Sequence, residues 1–155
     1  MTEEKTDAPE ALSAPYVLEY TYTRSLGPVL SAFFTGLRDG QVLGARTADG
    51  RVLVPPMEYD PASGEDVEEE LVEVGQEGVV TTWAWVTEPR AKHPLDRPFA
   101  WALVKLDGAS TAMLHAVDAG AMERMKTGMR VKLRWSDDRV GRIQDIAWFE
   151  PVEAA

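Results

Sequence analysis

Residues 111–135, TAMLHAVDAGAMERMKTGMRVKLRW, decide the fold of this chain. The two ends of this stretch, at 111–117 and 129–135, are rich in apolar residues and are typical of β-strands. Between them, residues 119–126 predict a short helix that Gly128 ends. A helix between two strands is a feature of an OB-type barrel when it follows the third of five strands.

The segments on either side supply the other strands. Residues 78–86 and 99–106 come before the stretch and residues 142–149 come after it, and all three are rich in Val, Thr, Leu, Ile or Trp. Such residues favour strands. Five strands with one helix between the third and the fourth predict a mainly β protein, with an OB-fold barrel over residues 67–151.

A helix is predicted upstream, at about residues 25–38, because its apolar residues recur at spacings of three and four. Its apolar stripe includes Phe33, Phe34 and Leu37. Such a stripe either packs into the protein's own core or docks a partner, and the pattern leaves both alternatives open.

A small hairpin should follow this helix. Runs 41–45 and 51–54 are separated by Asp49-Gly50, which is a hairpin signal. The first 15 residues combine acids, alanine, serine and two prolines, a composition that predicts disorder. We therefore divide the chain into a disordered leader (1–15), a helix and hairpin unit (16–66), the barrel (67–151) and a tail (152–155).

Composition excludes several classes of protein. The chain has no cysteine and only two histidines, which excludes disulfides, thiolate nucleophiles and Cys-type zinc sites. No run approaches the roughly 18 apolar residues of a membrane span. The N-terminal residues also lack the apolar run of a secretory signal, so we expect a cytoplasmic protein.

Charge argues against nucleic acid and anionic membranes as partners. Lys and Arg number 16 against 26 Asp and Glu, a net charge of −10, whereas binding to phosphate-rich surfaces draws on an excess of basic residues. The imbalance lies in the first half. Residues 1–80 hold 16 acidic and 5 basic side chains, a net of −11, and residues 81–155 hold 10 and 11, a net of +1.

Loop 88–98, EPRAKHPLDRP, is a candidate binding site. In an OB barrel the connection after the first strand lies at a common ligand-binding edge, and prolines restrict this loop. It suits a phosphate-bearing group such as coenzyme A or an acidic patch on a partner, or it is simply a solvated loop. The side chains that would make the contact are Arg90, Lys92, His93 and Arg97.

Trp83 and Trp85 are two residues apart and therefore share one face of the first barrel strand. The period alone does not say whether this face points into the barrel or outward, where the two rings would anchor a protein interface.

No catalytic residue is predicted, because the sequence has no nucleophile-elbow, dinucleotide or phosphate-loop motif.

Four pieces of sequence resemble one family. They are AFFTGLRDG at 32–40, GRVLVPP at 50–56, PFAWALVKLDG at 98–108 and GMRVKL at 128–133. They are similar to the helix end, the ribbon hairpin and the second and fourth barrel strands of the acyl-CoA-associated proteins of domain of unknown function thirty-five. The resemblance implies an N-terminal helical part, a rubredoxin-like zinc ribbon and an OB-fold.

The zinc ligands of that family are missing here. Its two Cys-x-x-Cys pairs fall on Arg46 and Asp49 and on Asp60 and Ser63. We therefore expect a degenerate, metal-free ribbon hairpin, with no cofactor and no zinc. A structural zinc can contribute about 10–16 kcal/mol to a small domain, so other contacts must hold this unit. We expect Arg46 to pair with Asp49 or Asp60.

The resemblance implies a non-catalytic accessory subunit of a thiolase-fold enzyme, such as a thiolase, a lipid-transfer-type aldolase or a related condensing enzyme, in acyl-CoA, lipid or sterol metabolism. The basic loop would then meet acyl-CoA at the shared interface. The residues that would contact the enzyme are Phe33, Phe34, Leu37, Trp83 and Trp85.

Two alternatives remain open. One is an OB-fold protein that binds single-stranded nucleic acid, for which Arg130, Lys132 and Arg134 supply a basic stripe on the fourth strand. The other is a small independent enzyme that acts on acyl-CoA.

Overall fold

A computed structural model describes residues 12–152, which form one α-helix, eight β-strands and two short 3-10 helices. The helix α1 spans Gly27–Arg38 and the 3-10 helices span Met122–Arg124 and Ile143–Asp145. The strands are β1 Leu43–Arg46, β2 Val52–Leu53, β3 Val72–Glu73, β4 Glu77–Val86, β5 Phe99–Leu106, β6 Met113–Val117, β7 Arg130–Trp135 and β8 Ile146–Pro151.

Strands β4 to β8 close into a barrel in the order β4-β5-β6-β8-β7, with β7 pairing back onto β4. Neighbouring strands are antiparallel except β6 and β8, which pair in parallel at Val117 and Phe149. The predicted mainly β fold with a five-stranded OB-type barrel is confirmed. Alternation on β7 also holds, since Val131 is buried while Arg130 and Lys132 are exposed.

The N-terminal unit shares a hydrophobic core with the barrel. Strand β1 lies between β2 and β3 in a small sheet, and Phe33 and Leu37 of α1 belong to the same buried cluster as the barrel residue Val104. The backbone N–H of Val54, the residue after β2, donates to Thr111 Oγ1 at 2.7 Å and so connects the hairpin to the segment before β6. The small sheet includes β3 and therefore extends beyond the predicted boundary at residue 66.

The helix predicted at 119–126 is wrong in extent, because only Met122–Arg124 forms a single 3-10 turn. Gly120 has a positive φ of 77° before the turn, and Met125 is already extended after it. Met125 is buried but Met122 is 47% exposed. The segment thus lacks the apolar stripe that holds an α-helix against a core.

The last barrel strand begins at Ile146 rather than at the predicted residue 142. The buried carboxylate of Asp145 accepts hydrogen bonds from the backbone N–H groups of Val140, Gly141 and Arg142, at 3.1, 2.7 and 3.2 Å. These bonds turn the chain immediately before the strand.

Residues 1–11 of the predicted leader and 153–155 of the predicted tail lie outside the described residues. Residues 12–26 have neither helix nor strand. Within residues 12–152, no helix has the length and hydropathy needed to cross a lipid bilayer.

Candidate functional site

A pocket of about 600 Å³ opens on the side of the barrel, between loop 88–98, β6 and the segment that leads into β8. Its volume lies within the usual range of small-molecule sites, roughly 300–1,000 Å³. The walls are mostly apolar and aromatic. The side chains that shape them are Trp101, Trp148, His93, His115, Leu114 and Ile143.

His115 forms part of the inner wall. It lies on β6 and is only 6% exposed, because the alternation of the strand turns it inward. Its Nδ1 accepts a hydrogen bond from the backbone N–H of Ala116 at 2.9 Å, which leaves the proton of the neutral ring on Nε2. Burial lowers the pKa of His115 below 6.5, against an opposing effect of backbone hydrogen bonds with Ala116 and Ile143. The ring is therefore neutral at pH 7.

His93 closes the pocket from the loop side. Its Nδ1 accepts a hydrogen bond from the backbone N–H of Arg90 at 3.1 Å. The ring packs edge-on against Phe99 and Trp101, with centroids 5.6 and 6.4 Å apart. Leu95, which is buried, anchors the same loop in an apolar cluster. These contacts hold the loop against the barrel.

The four predicted contact residues of loop 88–98 differ in their positions relative to the pocket. Lys92 and His93 line the pocket, and Arg90 does not. Arg97 donates to Asp118 through Nε at 3.0 Å, and its guanidinium lies 5.3 Å above the ring of Trp148. Within residues 12–152, no carboxylate lies in ion-pair range of Lys92 or Arg90. Among the described residues, Lys92 at the pocket and Arg90 nearby in the loop thus have no ion-pair partner.

The residues predicted to contact a partner on α1 differ in exposure. Phe33 and Leu37 are 1% and 0% exposed and belong to the protein's own core, so neither has surface left for a partner. Phe34 is half-buried and packs against that core. Two of these three side chains of the apolar stripe of α1 therefore pack into the protein's own core rather than against a partner.

Trp83 and Trp85 pack against the barrel core and are half-buried. Val80 of the same strand is also buried, although strict alternation puts it on the opposite face. A bulge explains the change of face: Val80 pairs with Val104 and Thr82 pairs with Leu103, so Thr81 is an extra residue. Both tryptophans consequently point to the core side.

The former ribbon site contains an arginine that the sequence analysis did not select. The guanidinium of Arg51 bridges the carboxylates of Asp49 (2.8 Å) and Asp60 (2.5 Å), and Ser63 Oγ donates to Asp60 at 3.3 Å. The hydroxyl of Thr47, followed by the Arg51 guanidinium, lowers the pKa of Asp49 to about 2.

The expectation that Arg46 pairs with Asp49 or Asp60 is wrong. Arg46 lies on β1 and pairs with Glu68 at 3.7 Å. A cationic side chain held between two carboxylates does not fit a zinc ion at the same place, because the two positive charges would repel. Among residues 12–152, no group of three His, Asp or Glu side chains could hold a metal ion.

The basic stripe on β7 is largely paired. Arg130 donates to both oxygens of Asp107, at 2.7 Å each, and to Glu77 at 3.0 Å. Lys132 pairs with Glu150 at 3.1 Å. Hydrogen bonds from Arg130 lower the pKa of Asp107, so this carboxylate stays ionised and continues to neutralise the arginine.

Sequence reasoning missed the pocket-forming role of His115, Trp101 and Trp148. The alternation of β6 gave a usable signal, since residue 115 shares a face with the buried Met113 and Val117. The two tryptophans lie on other strands, and their convergence depends on the barrel closing.

Comparisons with known proteins agree on the barrel. Residues 71–136 match the family model described as the C-terminal OB-fold domain of ChsH2. No curated protein matches the sequence.

Two solved structures are similar to the chain. A DUF35 (domain of unknown function thirty-five) protein from Sulfolobus solfataricus, of unknown function, superposes with a TM-score of 0.56 and 23% identity, over 69% of this chain and 78% of that chain. The Ltp2-ChsH2(DUF35) aldolase superposes with a TM-score of 0.60 and 20% identity, over 83% of this chain and 98% of that chain. The family resemblance predicted from four pieces of sequence is confirmed.

Proposed function

We propose that this chain, whose residues 71–136 match a ChsH2 OB-fold model and whose fold is similar to that of DUF35 proteins, is a non-catalytic accessory subunit of a thiolase-fold enzyme in cytoplasmic acyl-CoA, lipid or sterol metabolism. The observation that carries the proposal is the similarity to the Ltp2-ChsH2(DUF35) aldolase, which extends over 98% of that chain. There, a DUF35 chain is named together with an enzyme. A protein of the same fold suits the same kind of role.

The chemistry of the pocket supports an accessory role. Its polar lining side chains are His93, His115, Ser136, Gln144 and Lys92, and no carboxylate lines it among the described residues. Nucleophilic and acid–base catalysis usually need a base that a further polar group orients. His115 is instead buried, neutral and held by backbone atoms. We also propose that the chain binds no zinc, since Arg51 supplies the positive charge between Asp49 and Asp60.

The pocket is suited to a part of acyl-CoA. Its apolar walls fit an acyl chain or the face of an adenine ring, and the tryptophans Trp101 and Trp148 offer stacking surfaces. Lys92 at the pocket and Arg90 nearby in the loop have charges available for phosphate oxygens. The acyl-CoA of the enzyme would thus lie along the edge that this loop forms.

Capture of the enzyme comes first. The tagged chain is used at low salt to retain partners from its native lysate, and mass spectrometry identifies them. We expect a roughly stoichiometric thiolase-fold enzyme, which is then co-expressed with the chain for kinetics on acyl-CoA. Recovery of nucleic acid without such an enzyme would overturn the proposal in favour of the single-stranded nucleic-acid alternative.

Charge reversal then tests the loop. In the purified complex, the double variant Arg90→Glu, Lys92→Glu should raise the KM for acyl-CoA about tenfold, the equivalent of about 1.4 kcal/mol. Lys105→Glu is the matched control, because Lys105 is exposed on β5 but near the opposite end of the strand from the loop. An unchanged KM in an intact complex would remove the loop from the CoA site while leaving the accessory role standing.

A further inference from the structure

The segment before α1 exposes an unusual row of large side chains. Tyr16, Leu18, Tyr20 and Tyr22 are 85%, 61%, 79% and 82% exposed. They occur at every second position, so in an extended strand all four share one face. Tyr, Val, Leu and Thr make up most of residues 16–23, and β-branched and aromatic residues favour strands. The segment has the pattern of a strand but forms none within the described chain.

The apolar area is large enough for a specific interface. A tyrosine that becomes fully covered buries about 150–250 Å². Three tyrosines with Leu18 therefore supply much of the roughly 800 Å² per partner of a standard protein–protein interface. Single exposed apolar side chains are ordinary, whereas a contiguous row of this size marks an interaction site.

Residues 12–152 offer no place for this strand. The barrel is closed, so none of the five barrel strands has a free edge for it. The edge strands of the small sheet, Val52–Leu53 and Val72–Glu73, have two residues each. In the part of the chain that the structure describes, no long open edge is left.

A second copy of the chain is a poor acceptor, because its described sheets also lack a long open edge and its charge is unfavourable. Residues 1–80 carry 16 acidic and 5 basic side chains, a net of −11, so two copies that met at their N-terminal halves would repel each other. Two such segments paired only with each other would form an isolated two-stranded ribbon, which is marginally stable in water.

We propose that residues 16–23 add as a β-strand to an open sheet edge of the partner enzyme, with Tyr16, Leu18, Tyr20 and Tyr22 on an apolar surface beside that edge. This proposal rests on the accessory-subunit function above. Main-chain hydrogen bonds would supply affinity and the tyrosine face would supply specificity, as in other cases of strand addition. A neutral or basic acceptor surface complements the charge of this half of the chain.

The test compares the two faces of the segment in the purified complex. The double variant Tyr20→Ser, Tyr22→Ser should weaken binding to the enzyme about 100-fold or more, since central aromatic residues dominate interface affinity. Thr21→Ser, Thr23→Ser changes the opposite face and should alter affinity less than about threefold. Thr21→Pro removes a backbone donor from the ladder and should weaken binding about tenfold.

Three results would overturn the proposal. If the tyrosine variant binds the enzyme as tightly as the unchanged chain, the segment is not the docking strand, although the accessory function stands. If the same variant lowers the melting temperature of the isolated chain, the tyrosines pack on their own protein. If the unchanged chain self-associates on gel filtration and the variant does not, a second copy is the occupant. Failure of the unchanged chain to bind any thiolase-fold enzyme would reject the accessory function itself.

Discussion

The buried side chain of Asp145 shapes one wall of the pocket. Its carboxylate is fully buried and accepts three backbone N–H bonds, which fix the turn that presents Ile143 and Ile146 to the pocket. Burial raises the pKa of Asp145, but the hydrogen bonds from Val140, Gly141 and Arg142 outweigh it, and the net effect is a pKa below 3.8. The folded state therefore favours the ionised form.

The variant Asp145→Asn should lower the free energy of unfolding at pH 7 by about 1–3 kcal/mol, because the amide has one acceptor oxygen for three donors. The contribution of a carboxylate with a lowered pKa is present above its unfolded pKa, near 3.8, and is lost as the pH falls through its folded pKa. The deficit should thus shrink at the lowest pH at which the protein stays folded.

Urea unfolding at pH 7 and under acidic conditions measures this difference. Asp137→Asn serves as the control, because Asp137 is exposed in the loop just before the turn, and it should change stability by no more than about 0.5 kcal/mol. An Asp145→Asn deficit of equal size at both pH values would contradict the assigned role of the charge.

Thr81 is the extra residue of a bulge in β4 that the sequence pattern does not predict. The sequence predicts the strand and shows that Trp83 and Trp85 share a face, but one inserted residue switches that face relative to Val80. A bulge leaves no mark in composition, and it is set by the register with β5. Which face lies inside could therefore not be predicted from the strand alone.

Among the elements, the hairpin unit contains a buried carboxylate that accepts three hydrogen bonds. Asp60 is 5% exposed and accepts from Arg51, from Ser63 and from the backbone N–H of Ala62 at 2.9 Å. It thereby connects the first hairpin to the following turn at residues 60–64. These hydrogen bonds therefore hold the two turns of the unit to each other.

The variant Asp60→Ala should lower the free energy of unfolding by about 1–3 kcal/mol, because three donors lose their acceptor in a mostly buried place. Glu68→Ala is the matched control. It also removes a carboxylate paired with an arginine, but this pair is exposed and should contribute about 0–1 kcal/mol. Thermal melts monitored by circular dichroism compare the two.

Zinc chelation tests the same element. Addition of EDTA should leave the melting temperature of the unchanged chain where it is, since Arg51 already occupies the space between the acidic side chains. A fall in melting temperature on chelation, reversed by added zinc, would show that metal holds the hairpin after all.

Elements with a strong pattern were predictable. The helix α1 and the first four barrel strands lie within two residues of the predicted bounds, because their apolar periodicity reflects a buried face. The predicted helix at 119–126 failed, since two methionines do not make a buried stripe. The predicted start of β8 at residue 142 was wrong, because the carboxylate of Asp145 binds the backbone of residues 140–142 and holds them in a turn.

At the scale of the whole molecule, charge argues against nucleic acid as a ligand. The net charge is −10, and two of the three basic residues of the β7 stripe, Arg130 and Lys132, form ion pairs with carboxylates. We expect no binding of a fluorescently labelled oligothymidine at protein concentrations up to about 50 μM at low salt, where electrostatic binding is strongest. Anisotropy titration measures this, and saturable binding weakened by salt would restore the nucleic-acid alternative.

The overall architecture could be predicted from sequence, but the pocket could not. Element order and four pieces of family resemblance were enough for the helix, hairpin and barrel. The pocket walls, however, come from residues around 92–94, 101, 114–115, 136 and 143–148. Only barrel closure brings such distant positions together, and composition carries no information about which of them converge.

Barrel closure also determines when the pocket can form during synthesis of the chain. Strand β8 lies between β6 and β7, so the sheet stays open until Ile146–Pro151 is available to pair with both. During synthesis β6 and β7 therefore each keep an unpaired edge until residues 146–151 have left the ribosome. The pocket, whose outer wall includes Trp148, comes into being only at that point, so a nascent chain has no ligand site that a partner or metabolite could occupy early.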